Sequence, residues 1–294
     1  IPPLPDLPES IRYMLTVGLL ARSLPDLKLG LQVIAGPLSQ QPDIPAVPLT
    51  EPPETVSLHG LRLAWCKGIA PLWPQQSICN AITQAVESLE IDGAQMIPWQ
   101  APGWDWERLL LVYYRLSTLS LRYVQRSTIN ALTDLAQQFW REWSQSDADL
   151  RPLMTVKHAL PTLLNPSLKG YFEALTERDR IAAWFDDEFV AYDALLLPVA
   201  MTTAIAHCPT GSAIDIDGRA VPYWLANGAY LQPFNLLGHP AVVIPIGQDK
   251  TGLPIGLQIV GHRWQEMKLL AIAQTIDNKI GQYSIPPSVY QLAG

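Results

Sequence analysis

A short apolar run near the carboxyl end, residues 241–246 with the sequence AVVIPI, limits what this chain can fold into. β-Branched side chains dominate the run, which is typical of a buried β-strand. Gly238-His239-Pro240 precedes it, and Pro245 falls near its end. Proline cannot donate a hydrogen bond to a sheet, so it is confined to strand ends, edges and bulges. The pattern therefore predicts a strand with constrained backbone at both ends.

A strand–helix–strand unit lies earlier in the chain. Residues 61–65 and 94–97 are typical of short strands, and residues 75–89 between them are typical of a helix. The helical spacing is shown by Ile78, Ile82, Val86 and Leu89. Such a unit is typical of a parallel or mixed sheet. We therefore predict an α/β fold with a mixed, largely buried β-sheet flanked by helices.

The other predicted elements continue this alternation. Ser23 can cap a helix with Asp26 three residues on, and Gly36 can end it. Asp217-Gly218 is typical of a tight hairpin turn. Residues 38–57 read as a polar, proline-studded loop. The remaining segments are predicted as helices at 104–146, 166–190, 223–231 and 265–277, strands at 192–198 and 255–260, and a hairpin at 214–221.

Composition excludes several classes of protein. Hydrophobic residues make up 48% and charged residues 16% of the 294 residues, which allows a sizeable core and argues against disorder. The formal net charge of −7 argues against electrostatic binding to nucleic acid or anionic lipid. No apolar run reaches the length needed to span a bilayer. We expect no nucleic-acid partner and no membrane partner.

The cysteines suggest neither a zinc site nor a disulfide framework. Cys66, Cys79 and Cys208 are widely spaced and form no CxxC motif. We therefore expect no metal site and a reducing compartment, so the predicted location is cytoplasmic.

No portable catalytic motif is present: GxSxG, HExxH, the P-loop and GxGxxG are all missing from the sequence. Lys67 follows a predicted strand and could activate a nucleophile, or it could be a surface charge. His239 could be a catalytic base or a structural residue of the turn. The residues alone leave both alternatives open.

Two further patterns are better explained by a structural role than by catalysis or metal binding. Adjacent residues of an extended chain point to opposite faces, so His207 and Cys208 are not expected to act as a base and nucleophile pair. Asp215 and Asp217 resemble part of a calcium loop, but the later ligands are missing. A hairpin turn is the favoured interpretation of this segment.

A series of motifs between residues 193 and 268 resembles the C-terminal half of the amidase signature family. That family shows a DALL-x-P strand, an F-N-x-x-G-x-P-A approach to an apolar strand, a Pro-x-Gly exit and a G-L-P-x-G-L-Q strand. The matching residues include Phe234-Asn235, Gly238, Pro240-Ala241, Pro245-Ile246-Gly247, Gly252-Leu253-Pro254, Gly256-Leu257-Gln258, Gly261 and Glu266. Residues 17–37 are similar to the family's segment after its nucleophile, with Leu19 in place of the usual proline.

The resemblance implies a mixed sheet with residues 241–246 as a central strand. Family members act through a Lys–Ser–Ser triad whose serines lie in and around a Gly-Gly-Ser-Ser-Gly-Gly block. No position of this sequence matches that block, so no catalytic residue is carried over. The family's chemistry implies no metal and no organic cofactor.

The resemblance also implies where substrate would be contacted. The loop after residues 192–198 follows the carboxyl end of a strand, where α/β sheets place their sites. Here Pro198-Val199 stands where the family usually has Pro-Thr, and Leu231 stands where it usually has Thr. These changes imply either a less polar pocket or relaxed constraint in a defective copy. Asn235 either fixes the turn before residue 238 or contacts substrate. The expected substrate-binding residues are Pro198, Val199 and Asn235.

The function implied is that of an amidohydrolase that hydrolyses a carboxylic amide by serine acyl transfer, of which this chain is the C-terminal part and by itself inactive. Residues 1–294 would form one incomplete amidase-like domain, with a linker and helix in 1–56 and an α/β body in 57–294. Expected partners are a small amide substrate in the complete protein and the missing N-terminal segment or chain. The alternatives are a non-catalytic relic, a partner-binding subunit, or an amidotransferase A-type subunit.

Overall fold

The structure is a computed structural model that describes residues 14, 16–36, 49, 56–100, 103–124, 140–142, 144–147, 149–150, 167–209 and 211–281, without the side chains of 118–124. Most of the predicted linker in residues 1–56, including nearly all of the predicted loop at 38–57, lies outside the described residues. No described helix has both the length and the apolar character required to cross a bilayer.

The described helices and strands follow the predicted order, apart from one additional helix before the last two strands. The helices are α1 (Leu24–Ile34), α2 (Gln76–Ile91), α3 (Trp106–Val124), α4 (Leu168–Phe189), α5 (Tyr223–Gly228), α6 (Gln232–Leu237) and α7 (Glu266–Ile280). The strands are β1 (Arg62–Trp65), β2 (Gln95–Pro98), β3 (Ala194–Pro198), β4 (Ile214–Ile216), β5 (Arg219–Val221), β6 (Ala241–Gln248) and β7 (Pro254–Val260).

The main sheet is mixed and has five strands in the order β2-β1-β3-β7-β6. β2, β1 and β3 run parallel, as the strand–helix–strand unit predicts. β7 is antiparallel to both β3 and β6. The strands at 241–248 and 254–260 are therefore neighbours, and β6 runs in the same direction as β3. The α/β prediction is confirmed.

Helices cover the two faces of the sheet with separate apolar cores. On one face, strand residues such as Leu63, Leu196 and Ile244 pack with side chains of α2 and α7. On the other face, Leu195 and Leu197 pack with side chains of α3, α4 and α6. Because β3 is buried on both faces, its sequence is a continuous apolar run rather than an alternating one.

The predicted local signals form as expected. Ser23 caps α1, and its hydroxyl oxygen accepts from the backbone N–H of Asp26 at 3.3 Å. β4 and β5 form the predicted hairpin, with Asp217 (φ 52°) and Gly218 (φ 86°) both left-handed at its turn. Positive φ at both central positions is the geometry that twisted hairpins favour.

Two features of the segment around β6 go beyond the prediction. In the described sheet β6 lies at the edge, because it pairs with β7 alone among the described strands, and its central place in the family's complete sheet stays a prediction. β6 also continues past Pro245 to Gln248, with a register shift between Pro245 and Gly247. A bulge on an edge strand accommodates the missing N–H of proline, so Pro245 does not end the strand.

The segment before β6 is also more helical than predicted. Residues 223–231 do not form one helix; α5 ends at Gly228, and α6 begins at Gln232. Pro233 is tolerated because it falls in the first turn of α6. Gly238 ends α6 in the left-handed conformation (φ 75°), which explains why glycine stands before the strand.

Candidate functional site

The strands β1, β3 and β6 run in the same direction, so their carboxyl ends lie at the same end of the sheet. Pro198 ends β3 and is buried, and Val199 follows it, half-buried. Two of the expected substrate-side residues therefore lie where the chain leaves β3, one at the strand end and one at the start of the following loop. We call residues 199–203 the β3 loop.

Backbone hydrogen bonds hold the β3 loop on two sides. The backbone carbonyl of Met201 accepts from the N–H of Gln75, just before α2, at 2.8 Å. The N–H of Met201 donates to the carbonyl of Ala226 in α5, also at 2.8 Å. The side chain of Met201 is fully buried. The loop is therefore tied to two helices rather than left free in solvent.

Side chains add a third attachment of the β3 loop. The hydroxyl of Thr203 donates to Oδ2 of Asp249 at 2.9 Å, and its backbone N–H donates to Oε1 of Gln75 at 3.2 Å. Asp249 belongs to the turn that follows β6. The contact joins the β3 loop to the β6–β7 turn, and no sequence pattern indicated it.

Asp249 is held as an anion. Its Oδ1 accepts from the N–H of Thr251 at 2.8 Å, from that residue's hydroxyl at 2.6 Å, and from the N–H of Leu253 at 3.0 Å. These hydrogen bonds, led by that from the Thr251 hydroxyl, lower the pKa of Asp249 to about 2. The carboxylate therefore stays charged over the whole physiological range.

Val199 packs on the sheet through a glycine of β7. A Cβ placed on Gly256 would lie 3.0 Å from Val199 Cγ2 and 3.0 Å from Val243 Cγ1. The missing side chain lets these two valines approach across β7. The surface where Val199 meets β7 is therefore apolar, and the less polar substrate pocket expected from Val199 stays a prediction.

The two cysteines beside β1 are not activated nucleophiles. Burial raises the pKa of the Cys66 thiol to about 12 and also raises the pKa of Cys79. The Cys79 thiol donates to the backbone carbonyl of Lys67 at 3.4 Å. Lys67 itself is exposed and forms no ion pair within the described residues.

His239 lies just before the amino end of β6. The β3 loop lies at the other end of the strands. Its side chain is fully buried, with Nε2 3.1 Å from Oδ1 of Asp186, a contact that does not satisfy hydrogen-bond geometry. Arg263 forms an ion pair with the same carboxylate. Burial is the main cause that lowers the pKa of His239 to about 4, against the opposing effect of Asp186. The packing favours the structural interpretation over a base at the β3 loop.

Asn235 lies on α6, with its side chain exposed. Its backbone N–H donates to the carbonyl of Leu231 at 3.2 Å, whereas its side chain forms no hydrogen bond with the described residues. The expected role in fixing a turn is not observed, because these residues are helical. No hydrogen bond within the described part of the chain joins Asn235 to Pro198 or Val199.

Asp217 has a structural role that the sequence did not indicate. Its Oδ2 accepts from the backbone N–H of Gln76 at 2.6 Å, so the hairpin tip caps the first turn of α2. Asp215 accepts from the N–H of Gly218 at 2.7 Å within the turn. No group of three or more His, Cys, Asp or Glu side chains able to hold a metal occurs among the described residues. The hairpin interpretation is confirmed.

The family comparison agrees with this geometry: the Amidase family model matches residues 10–270, so the chain belongs to the amidase family. The A-type subunit of the glutamyl-tRNA(Gln) amidotransferase of Exiguobacterium sp. (strain ATCC BAA-1283 / AT1b) is 26% identical over 92% of this chain and 56% of its own length. A fatty acid amide hydrolase of Medicago truncatula is 34% identical over 41% of this chain and 19% of its own length.

Solved structures show the same fold. A bacterial aryl acylamidase of the amidase signature family superposes with a TM-score of 0.63 at 17% identity, over 88% of this chain and 51% of that one. A 6-aminohexanoate cyclic dimer hydrolase gives a TM-score of 0.63 at 21% identity, over 88% of this chain and 54% of that one. The chain thus spans about half the length of these relatives.

Proposed function

We propose that this chain is the part of an amidase that carries the substrate-side loop, and that it acts with a segment bearing the Lys–Ser–Ser triad. The complete protein would hydrolyse a carboxylic amide at its C–N bond. The observation that carries the proposal is the family match over residues 10–270. The position of the β3 loop supports the proposal. The loop follows the carboxyl end of a strand, where α/β folds place their sites.

The proposed chemistry is acyl transfer in two steps. The serine Oγ attacks the amide carbonyl carbon, its proton passes through the second serine and the lysine to the leaving nitrogen, and the C–N bond breaks. Water then attacks the acyl-enzyme ester, which releases the carboxylic acid and restores the serine hydroxyl. Backbone N–H groups would hold the oxyanion in both steps.

This chain would contribute positioning and selectivity rather than the reacting groups. The β3 loop would line the pocket with Val199, which offers no hydroxyl to a substrate. Hydrogen bonds from Met201 and Thr203 to three partners, Gln75, Ala226 and Asp249, hold that loop. Since a rigid apolar wall favours apolar groups, we propose that the substrate presents an apolar acyl or amine group to this wall.

A serine-directed probe tests the proposal. A fluorophosphonate label and an acyl p-nitroanilide substrate would be applied to the purified chain, alone and joined to the polypeptide that carries the lysine and the Gly/Ser-rich block. We expect label and p-nitroaniline release only from the joined form, with the label on the added segment. Turnover by the 294-residue chain alone at an ordinary enzymatic rate would contradict the proposal.

An amidotransferase A-type subunit is the second candidate, favoured by the match to such a protein over 92% of this chain. The same joined protein would be given glutamine as the amide, with ammonia release as the readout. Ammonia release from glutamine with no hydrolysis of p-nitroanilides would favour this candidate over the first. Absence of both activities and of the serine label would favour a non-catalytic, partner-binding role.

A further inference from the structure

The loop that follows β1 lies beside the β3 loop at the same end of the sheet. β1 and β3 are parallel neighbours, so the chain leaves both strands there. Gln75 ends this loop, which we call the β1 loop and define as residues 67–75. Its N–H donates to the carbonyl of Met201 at 2.8 Å, and its Oε1 accepts from the N–H of Thr203 at 3.2 Å. The two loops are therefore hydrogen-bonded neighbours.

Two side chains fix the backbone in the middle of the β1 loop. The hydroxyl of Tyr230, a fully buried residue, accepts from the N–H of Ile69 at 3.1 Å and donates to the carbonyl of Leu72. The guanidinium of Arg219 in β5 donates to the carbonyl of Pro71 at 3.2 Å. Both side chains come from segments distant in sequence, so the tertiary structure sets the path of this loop.

The fixed backbone of the β1 loop carries two exposed side chains. Lys67 is exposed, and 44% of Trp73 is exposed. A Cβ placed on Gly68 would lie 2.8 Å from Cε3 of Trp73, so the indole ring packs on the backbone of Gly68. Because Lys67 directly precedes Gly68, the ring and the base of the lysine side chain are close together.

The ammonium group of Lys67 has no carboxylate partner among the described residues. Asp217, at the start of α2, accepts from the N–H of Gln76 at 2.6 Å instead. An ammonium group attracts a carboxylate, and the face of an exposed indole ring offers a flat apolar surface. A ligand that carries both kinds of group would therefore match this part of the loop.

From these contacts we infer that the β1 loop forms a second side of the substrate pocket, beside the β3 loop. Trp73 packs on an apolar or aromatic group of the substrate, and Lys67 pairs with a carboxylate of the same molecule. The substrate is therefore an amide that bears a carboxylate as well as an apolar group. Tyr230 acts through the loop and is a positioning residue. The inference rests on the proposed function, which assigns no role to these three residues.

Two anilides that differ by one carboxylate test the role of Lys67. The joined protein, which carries the lysine and the Gly/Ser-rich block, would be given N-glutaryl-phenylalanine p-nitroanilide and the uncharged N-butyryl-phenylalanine p-nitroanilide. We expect Lys67→Met to raise KM for the glutaryl substrate about fivefold, with kcat and the KM of the butyryl substrate unchanged. The matched control is Lys279→Met, at the far end of α2, where Lys279 pairs with Asp92 at 3.3 Å. It should change neither KM.

The same two substrates test Trp73 and Tyr230. Trp73→Leu should raise both KM values about tenfold, because both substrates carry the aromatic group. Trp264→Leu, at an exposed tryptophan after β7, should raise neither. Tyr230→Phe keeps the ring and removes the hydroxyl, so hydrogen exchange at residues 69–73 should be faster. It should also lower the preference for the glutaryl substrate, a change that a loss of stability alone would not cause.

A binding measurement separates this inference from the proposed function. The joined protein would be labelled with 5-fluorotryptophan, the Trp73 signal assigned through Trp73→Leu, and each anilide titrated in fluorine NMR. A Trp73 signal that shifts at lower concentrations of the glutaryl than of the butyryl anilide, without hydrolysis, contradicts the proposed function alone. Hydrolysis with KM values that Lys67→Met and Trp73→Leu leave unchanged contradicts the β1-loop pocket alone. A Trp73 signal that neither anilide shifts, with no hydrolysis, contradicts both.

Discussion

The hydroxyl of Thr203 donates to Oδ2 of Asp249 at 2.9 Å and so joins the loop after β3 to the turn after β6. The two residues are 46 positions apart in sequence, and they meet because β3 and β6 end at the same edge of the sheet. Asp249 is also held by Thr251 and by the backbone of Leu253. The contact makes the turn a support for the proposed substrate loop.

Removing the carboxylate should loosen the β3 loop. Asp249→Ala removes the acceptor of the Thr203 hydroxyl, so we expect faster hydrogen exchange of the backbone amides at 200–203. Asp249→Asn keeps one carbonyl acceptor, so exchange of these amides should be slower in Asp249→Asn than in Asp249→Ala. Asp187→Ala, at an exposed position of α4, is the control and should leave exchange in the loop unchanged. Equal protection in Asp249→Ala and wild type would contradict this role.

The lowered pKa of Asp249 determines the pH range in which this residue stabilises the β3 loop. Because hydrogen bonds lower the pKa of Asp249 to about 2 in the folded protein, its contribution to stability is present above the unfolded pKa of about 4. The contribution is lost as the pH falls through about 2. Exchange in the β3 loop should therefore show no change attributable to Asp249 between pH 7 and pH 5.

His239 should make the stability of the fold depend on pH, in a higher pH range than Asp249 does. Its pKa is lowered to about 4 by burial, so between about pH 6.5 and 4 the unfolded chain binds a proton that the folded chain does not. The free energy of unfolding should therefore fall as the pH falls through this window, by on the order of 3 kcal/mol. The groups that face the ring are Asp186, Arg263 and His262, together with Phe185 and Phe189.

Urea unfolding at several pH values measures this contribution. His239→Gln should flatten the dependence between pH 6.5 and 4, even if it lowers stability at pH 7. His207→Gln, at an exposed histidine, should leave the dependence as in the wild type. An unchanged slope in His239→Gln would show that other groups cause the acid sensitivity.

Gly256 should not tolerate a methyl group. A Cβ there would lie 3.0 Å from side-chain atoms of both Val199 and Val243, so Gly256→Ala should lower the free energy of unfolding by about 1–2 kcal/mol. Val199→Ala or Val243→Ala in the same chain should recover part of that loss. In the control Gly247→Ala, the added Cβ would meet its nearest atom at 3.9 Å, and little change is expected.

The hairpin tip should stabilise α2. Asp217→Ala removes the acceptor of the Gln76 N–H, and the loss of such a cap costs about 1 kcal/mol. Asp217→Asn keeps an acceptor and tolerates the left-handed backbone, so it should retain most of the stability. Thermal unfolding of the two variants provides the comparison. Equal losses in both would assign the effect to charge rather than to the hydrogen bond.

The three thiols should differ in reactivity. Cys66 and Cys79 are buried and have raised pKa values, whereas Cys208 is exposed. A thiol reagent such as Ellman's reagent should therefore modify Cys208 rapidly and the other two only after unfolding in urea. Cys208→Ser should remove the fast phase. Rapid modification of two or three thiols in the native protein would contradict the burial of this pair.

Much of the architecture could be predicted because its signals are local. The cap at Ser23, the Asp217-Gly218 turn and the continuous apolar run of β3 each depend on residues close in sequence. The order of motifs from Asp193 onward indicated the family, which the match over residues 10–270 confirms. The helix at 232–237 was not predicted: Asn235 was interpreted as a turn residue or a substrate contact, whereas Pro233 is tolerated in the first turn of a helix.

The sequence by itself determined most of the elements, the class of fold and the family, because periodicity, caps and turn residues act over a few positions. Only the tertiary structure decided that β6 is an edge strand of the described sheet, that Asp249 holds Thr203, and that Gly256 brings Val199 close to Val243. Each of these depends on which distant strands pair and in which direction. Pairing between strands depends on contacts across the whole sheet, and the local sequence of one strand does not specify it.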